Sequence, residues 1–122
     1  MTAPATRPWP TELRLDPAKK TLTVAFDSGE RHALSAEYLR VESPSAEVQG
    51  HGPGQKLIVT GKENVTIVAL EPVGNYAVRI TFDDFHDTGM FTWAYLRTLG
   101  EEKAERWNAY LAELEAKGLS RD

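Results

Sequence analysis

The chain has 122 residues, with 14 Lys and Arg against 18 Asp and Glu, a formal net charge of -4 at pH 7 and a hydrophobic content of 41%. A core of this length buries roughly two thirds of the surface that the unfolded chain exposes, so one domain is expected, and it needs neither a disulfide nor a metal to fold. The chain has 0 Cys and 3 His, which excludes disulfides, thiolate nucleophiles and Cys-based zinc or cluster ligation, and confines any metal site to His32, His51, His86 and carboxylates.

No apolar run approaches the roughly 20 residues of a membrane helix, and Met1 to Pro10 lacks the apolar stretch of a signal peptide, so a cytoplasmic location without membrane contact is expected. The basic residues do not cluster. Lys19-Lys20 is the one adjacent basic pair, and an acidic chain without a basic patch has little to gain from nucleic acid.

Residues 1 to 10 carry Pro4, Pro8 and Pro10 and read as a poorly ordered arm, with Trp9 as its one sticky side chain. From Glu12 the pattern has period two. Leu13 and Leu15, then Leu22, Val24 and Phe26, then Leu34 fall on one face of a β-meander, with turns at Asp16-Pro17 and Asp27-Ser28-Gly29 and with Arg14, Thr21 and Thr23 on the wet face. Ser35 is placed to cap a short helix over Ala36 to Arg40, with Glu37 in its first turn. Val41 to Gly54 reads as a loop. Its segment Gly50 to Lys56 is no phosphate loop, because Gln55 separates Gly54 from Lys56 and strand-like Leu57 to Val59 follows where a helix is required.

Two more strands are expected at Val65 to Leu70 and Tyr76 to Phe82, joined by a turn at Glu71 to Asn75. In the second, Tyr76, Val78, Ile80 and Phe82 share a face. After an acidic turn from Asp83 to Gly89, Thr92 is placed to cap a helix carrying Trp93, Leu96 and Leu99, which Gly100 ends. The last element, Glu101 to Lys117, sets Ala104, Trp107, Tyr110 or Leu111, and Leu114 along one stripe, with Glu102–Arg106 and Glu113–Lys117 four apart on the exposed face and Gly118 as a stop. These elements imply an α+β fold, a small antiparallel β-meander sheet packed with C-terminal helices, over residues 11 to 118 with a tail at 119 to 122.

Asp83-Asp84-Phe85-His86-Asp87 crowds an imidazole among carboxylates, and three readings stay open there. Metal binding is one, although an iron triad needs two His and a carboxylate, and adjacent Asp87 diverges from His86. General acid or base work is another, without an accompanying Ser or Thr nucleophile motif. The favoured reading is structural: Asp84 and Asp87 cap turn amides while His86 closes the strand-to-helix corner. An anion or small-molecule site made from Arg79, Arg97 and His86 is a further option that requires those groups to converge.

Gly74-Asn75-Tyr76-Ala77-Val78-Arg79-Ile80-Thr81-Phe82, followed by Asp84-Phe85-His86-Asp87-Thr88-Gly89-Met90-Phe91-Thr92-Trp93-Ala94-Tyr95-Leu96, resembles the gamma-butyrobetaine hydroxylase-like N-terminal domain family, whose text runs close to G-N-Y-A and then D-G-H-x-[ST]-G-[IL]-[YF]-[ST]-W-x-Y-L. The meander and the segment Leu34 to Arg40 fit as well. The resemblance implies a domain that precedes an oxygenase barrel in the hydroxylases, stands alone in bacteria, or is joined to P-loop ATPases of the iron–sulfur carrier type. In the hydroxylases three Cys and one His hold zinc. Aligning Leu39-Arg40 sets those Cys on Ser43, Ser45 and Val48 and the His on His86, so the resemblance implies a degenerate site with no metal and no cofactor. Phe85 stands where the family has Gly; if that Gly serves a positive φ, Phe strains the turn.

The implied function is a non-catalytic accessory or protein-interaction module. Its expected partner is a P-loop iron–sulfur carrier or an oxygenase, and its interaction candidates are Trp9, Phe85, His86 and Phe91. No catalytic residue is assigned. The alternatives are a small-molecule or metal-binding domain using His86 and its carboxylates, and a 2-oxoglutarate oxygenase-related enzyme, against which the short chain argues.

Overall fold

The computed structural model describes residues 8–49 and 58–122. The expected arm over Met1 to Arg7 and the loop from Gly50 to Lys56, with His51 and the adjoining Leu57, lie outside the described residues. The architecture is α+β, with the strands in two three-stranded antiparallel sheets.

The first sheet orders β1 (Pro10–Leu15), β2 (Thr21–Phe26) and β3 (Arg31–Ser35) as β1-β2-β3. Alternation works as the pattern predicts: Leu22, Val24, Phe26 and Leu34 are buried, and Leu13 and Leu15 pack on them from the edge strand. Pro10, expected in the arm, is the first residue of β1, and Trp9 just before it is tied to the same sheet. Pro10 opens β1, where a missing N–H is tolerated, and the Trp9 carbonyl accepts from Asp27 N–H at 2.9 Å.

The second sheet orders β4 (Ile67–Val73), β5 (Ala77–Phe82) and β6 (Gly89–Thr92) as β4-β5-β6. β4 runs past the expected turn at Pro72, because it is an edge strand whose outer side needs no ladder donor. The turn is confined to Gly74, Asn75 and Tyr76, which leaves Tyr76 exposed while Val78, Ile80 and Phe82 face the core. Residues 58 and 59 are not a strand; the Val59 carbonyl instead accepts from Tyr110 Oη at 2.6 Å.

In each sheet one hairpin loop has three residues with a left-handed residue in the third position. In the first, Phe26 N–H donates to the Glu30 carbonyl (2.9 Å) and Gly29 N–H to the Phe26 carbonyl (3.0 Å), with Gly29 at φ 95°. In the second, Phe82 N–H donates to the His86 carbonyl (2.9 Å) and Phe85 N–H to the Phe82 carbonyl (3.1 Å), with Phe85 at φ 71°. This is the loop that needs a left-handed residue in its third position.

Helix α1 (Ala36–Val41) follows β3 directly, and Ser35 Oγ accepts from Tyr38 N–H at 3.0 Å as its cap. A single turn, α2 (Ala46–Gln49), interrupts the expected loop. Helix α3 (Trp93–Glu101) starts at Thr92, whose hydroxyl accepts from Tyr95 N–H at 3.0 Å. Gly100 does not end it. A Cβ on Gly100 would lie 2.3 Å from His32 Cγ, so this glycine is there to let the helix press against the imidazole on β3. Helix α4 (Lys103–Ala116) follows, and Gly118 at φ 66° closes its C-terminus.

The core lies between the two sheets, α1 and α3. Its largest fully buried side chains include Phe82, Phe91, Leu22, Leu34, Leu39 and Ile80. Among the described residues no helix is long and apolar enough to cross a membrane.

Candidate functional site

The second hairpin loop brings β5 against the segment that follows α1, and three of the five buried polar residues among those described, Ser43, Ser45 and His86, gather at that corner. Ser43 is fully buried, Ser45, Val48 and His86 are nearly so, and Ser43 Oγ lies 2.9 Å from His86 Nε2. The same hydroxyl accepts from Ser45 N–H at 3.4 Å, and the one-turn helix is tied back through Gln49 Nε2, which donates to the Ser43 carbonyl at 2.8 Å. The His86 ring also meets Phe82, with centroids 6.1 Å apart. Positions 43, 45 and 48 are thus buried together, and position 43 touches the imidazole.

Asp84 fixes the loop from outside. Its carboxylate takes Arg40 Nε at 2.9 Å and Lys62 Nζ at 2.5 Å, and its other oxygen accepts from His86 N–H at 3.2 Å. Burial pushes the Asp84 carboxyl up, but the Lys62 ammonium, the His86 N–H and the Arg40 guanidinium outweigh it and hold the group below the usual carboxylate range. Asp83 adds the brace to β4, accepting from Thr66 N–H at 3.1 Å. The turn-capping role expected of Asp84 is therefore seen, whereas Asp87 is exposed. Among the described residues Arg40 Nη1 and Ser45 Oγ are buried with no hydrogen-bond partner, an unusual pair of costs for so small an area.

Zinc is held by thiolate, imidazole or carboxylate donors. Positions 43, 45, 48 and 86 offer two hydroxyls, an aliphatic side chain and one imidazole, so the residues present do not fit the ion. Among the described residues no group of three or more His, Cys, Asp or Glu is placed to hold a metal.

The interaction candidates separate sharply. Phe85 is 93% exposed and Trp9 50% exposed. Phe91 is fully buried and His86 is 6% exposed, which removes both from the surface. Phe91 points inward because it alternates with exposed Met90 on β6, a strand that four residues opening on Gly89 do not announce. Arg79, Arg97 and His86 do not form one anion site: Arg79 pairs with Glu71 on β4, Arg97 with Glu30 at 2.8 Å, and His86 with Ser43.

Sequence reasoning missed two buried carboxylates of α1 and its cap. Glu37 takes Arg121 in a two-point contact at 2.7 and 3.0 Å, and Glu42 takes Arg106 at 3.1 Å. Nothing local in the sequence marks these pairs, whose partners lie some 64 to 84 positions away.

The pattern of the family described as "Gamma-butyrobetaine hydroxylase-like, N-terminal" matches residues 13–97. The chain belongs to this family. No curated protein matches it. Two solution structures determined by NMR are 48% and 47% identical, each with a TM-score of 0.82; they cover 95% and 99% of this chain and 91% and 90% of theirs. A crystal structure of a protein of unknown function of the DUF971 family, from Acidithiobacillus ferrooxidans, is 43% identical with a TM-score of 0.63, covering 75% of this chain and 91% of that one. For this gamma-butyrobetaine hydroxylase-like domain, the family match ends at Arg97, before α4 begins.

Proposed function

We propose that this gamma-butyrobetaine hydroxylase-like domain is a non-catalytic protein-interaction module whose contact point is the Phe85 loop, standing on a corner where hydrogen bonds take the place of the metal that the resemblance assigns to relatives. The observation that carries this reading is Phe85 itself. Its backbone is left-handed at φ 71° and its ring is 93% exposed, so the free protein bears both backbone strain and a solvated aromatic. The same loop in the first sheet uses Gly29. A residue that costs stability twice over, on a loop braced by Asp83 and Asp84, is one whose benefit lies outside the free domain.

The corner supports the second part of the reading. The Ser45 hydroxyl, buried without a partner among the described residues, and the Val48 side chain occupy positions where the resemblance sets thiolates, and Ser43 binds His86 directly. The partner classes that the resemblance supplies are a P-loop iron–sulfur carrier and an oxygenase.

Affinity capture from the native host with the wild type and with Phe85→Gly tests the contact point, because that change removes the ring while relieving the backbone. A reproducible partner retained by the wild type and lost by Phe85→Gly is expected; equal recovery with both refutes the assignment. Incubation with iron and 2-oxoglutarate is expected to yield no succinate above a His86→Ala control, and turnover above it refutes the non-catalytic reading.

A further inference from the structure

Helix α4 is attached through little buried apolar surface. Of its 14 residues only Tyr110 and Leu114 are buried. They form a small cluster with Val41, apart from the main core, and half-buried Trp107 is the bridge between the two. Clefts open on both flanks of the helix. One of about 410 Å³ runs between Tyr38, Ala33 and Ser35 on one side and Lys103, Ala104 and Trp107 on the other. The second, of about 170 Å³, lies between Val41, Ile58 and Val59 and the side of α4 that carries Arg106 and Tyr110.

Polar contacts add to the attachment. Arg106 reaches Glu42 at 3.1 Å, Arg121 beyond the helix reaches Glu37 at 2.7 Å and lies over the Trp107 ring, and Tyr110 Oη donates to the Val59 carbonyl. Lys103 Nζ donates to the Ala33 carbonyl on the edge of β3 at 2.9 Å. The junction with α3 is a break at Glu102, which provides no side-chain cap for α4.

We propose that α4, with the residues that follow it, is a detachable strap that opens as one unit while both sheets, α1 and α3 stay folded. Burial of apolar surface sets the stability of each part of a fold, and a helix with so little of it opens below the global free energy. Once lifted from Glu37, Glu42 and Val59, a lone helix of this length is marginal in water, so release and melting coincide. Opening uncovers Tyr38, Val41, Ile58 and Val59, an apolar strip with two carboxylates at its edges.

Native-state hydrogen exchange on the full chain tests this. The amides of residues 107 to 114 are expected to exchange at least ~100-fold faster, relative to their intrinsic rates, than those of residues 78 to 82 on β5, and Ile80→Val, which weakens the core of the closed and the open form alike, is expected to speed the second group severalfold without moving the first. Equal protection in the two groups overturns the proposal, as does a variant that accelerates both alike. The lack of Cys permits a second measurement: a single thiol in Leu114→Cys should react with Ellman's reagent far faster than one in Ile80→Cys, and equal rates would count against a strap.

Discussion

Each sheet closes one of its hairpins with the same three-residue loop, and the two loops fill its left-handed position differently. In the Asp27-Ser28-Gly29 loop the residue at φ 95° is glycine, and a Cβ built there would meet nothing within 4 Å. In the Asp83-Asp84-Phe85 loop the residue at φ 71° is phenylalanine. The first loop has fewer braces: Asp27 N–H donates to the Trp9 carbonyl at 2.9 Å, and Ser28 makes one exposed hydrogen bond to Glu30 at 3.1 Å. The second is held by Asp84 through Arg40, Lys62 and His86 N–H, and by Asp83 through Thr66 N–H. A loop that its own residues favour gets by with few braces, whereas one that its residue opposes takes several side-chain contacts from elsewhere in the fold.

Removing that support is the largest available perturbation. Asp84→Ala leaves the mostly buried Arg40 without its carboxylate and is expected to lower stability by about 2–4 kcal/mol, while Ser28→Ala at the matching position stays within about 0.5 kcal/mol; chemical denaturation of both checks the contrast. The pH response follows with a definite sign. Because the Asp84 carboxyl titrates lower in the folded chain than in the unfolded one, its contribution is present above about pH 4 and is lost as pH falls through the folded value. Asp84→Asn should therefore flatten the fall in melting temperature between about pH 4 and pH 2.

Exchanging the residues at the left-handed position gives smaller effects of opposite sign. Gly29→Phe has open space for the side chain, so its cost is that of the backbone, about 1–2 kcal/mol. Phe85→Gly should stabilise by about 1 kcal/mol, since it removes the same strain and exposes no new apolar surface. A loss of stability in Phe85→Gly would mean that the ring has an intramolecular role, and the contrast between the two loops would fail.

Much of the fold was legible because it depends on neighbours in the chain. Ser35 and Thr92 cap their helices through N–H groups three residues on, and the alternation of Leu22, Val24 and Phe26 reports one buried face. The conditional reading of position 85 was legible too, since a glycine in the family pattern points to a left-handed backbone. What escaped depends on distance along the chain. Gly100 looks like a helix stop until His32 is seen against it. Phe91 looks like a surface aromatic until β6 is paired with β5. Glu37 reads as a residue chosen for the helix dipole, yet its carboxylate is buried against Arg121.

The contact between Gly100 and His32 has a mechanical consequence. With no side chain between them, the separation of α3 from β3 is set by the thickness of one imidazole ring, and the Arg97–Glu30 pair at 2.8 Å pins the same helix to the end of the first hairpin. Helix α3 and the first sheet therefore behave as one stiff plate. The Phe85 loop hangs from a different support, α1, by way of Arg40. Asp84 thereby ties the Phe85 loop to α1, the element that with its cap also supplies the carboxylates holding Arg106 and Arg121.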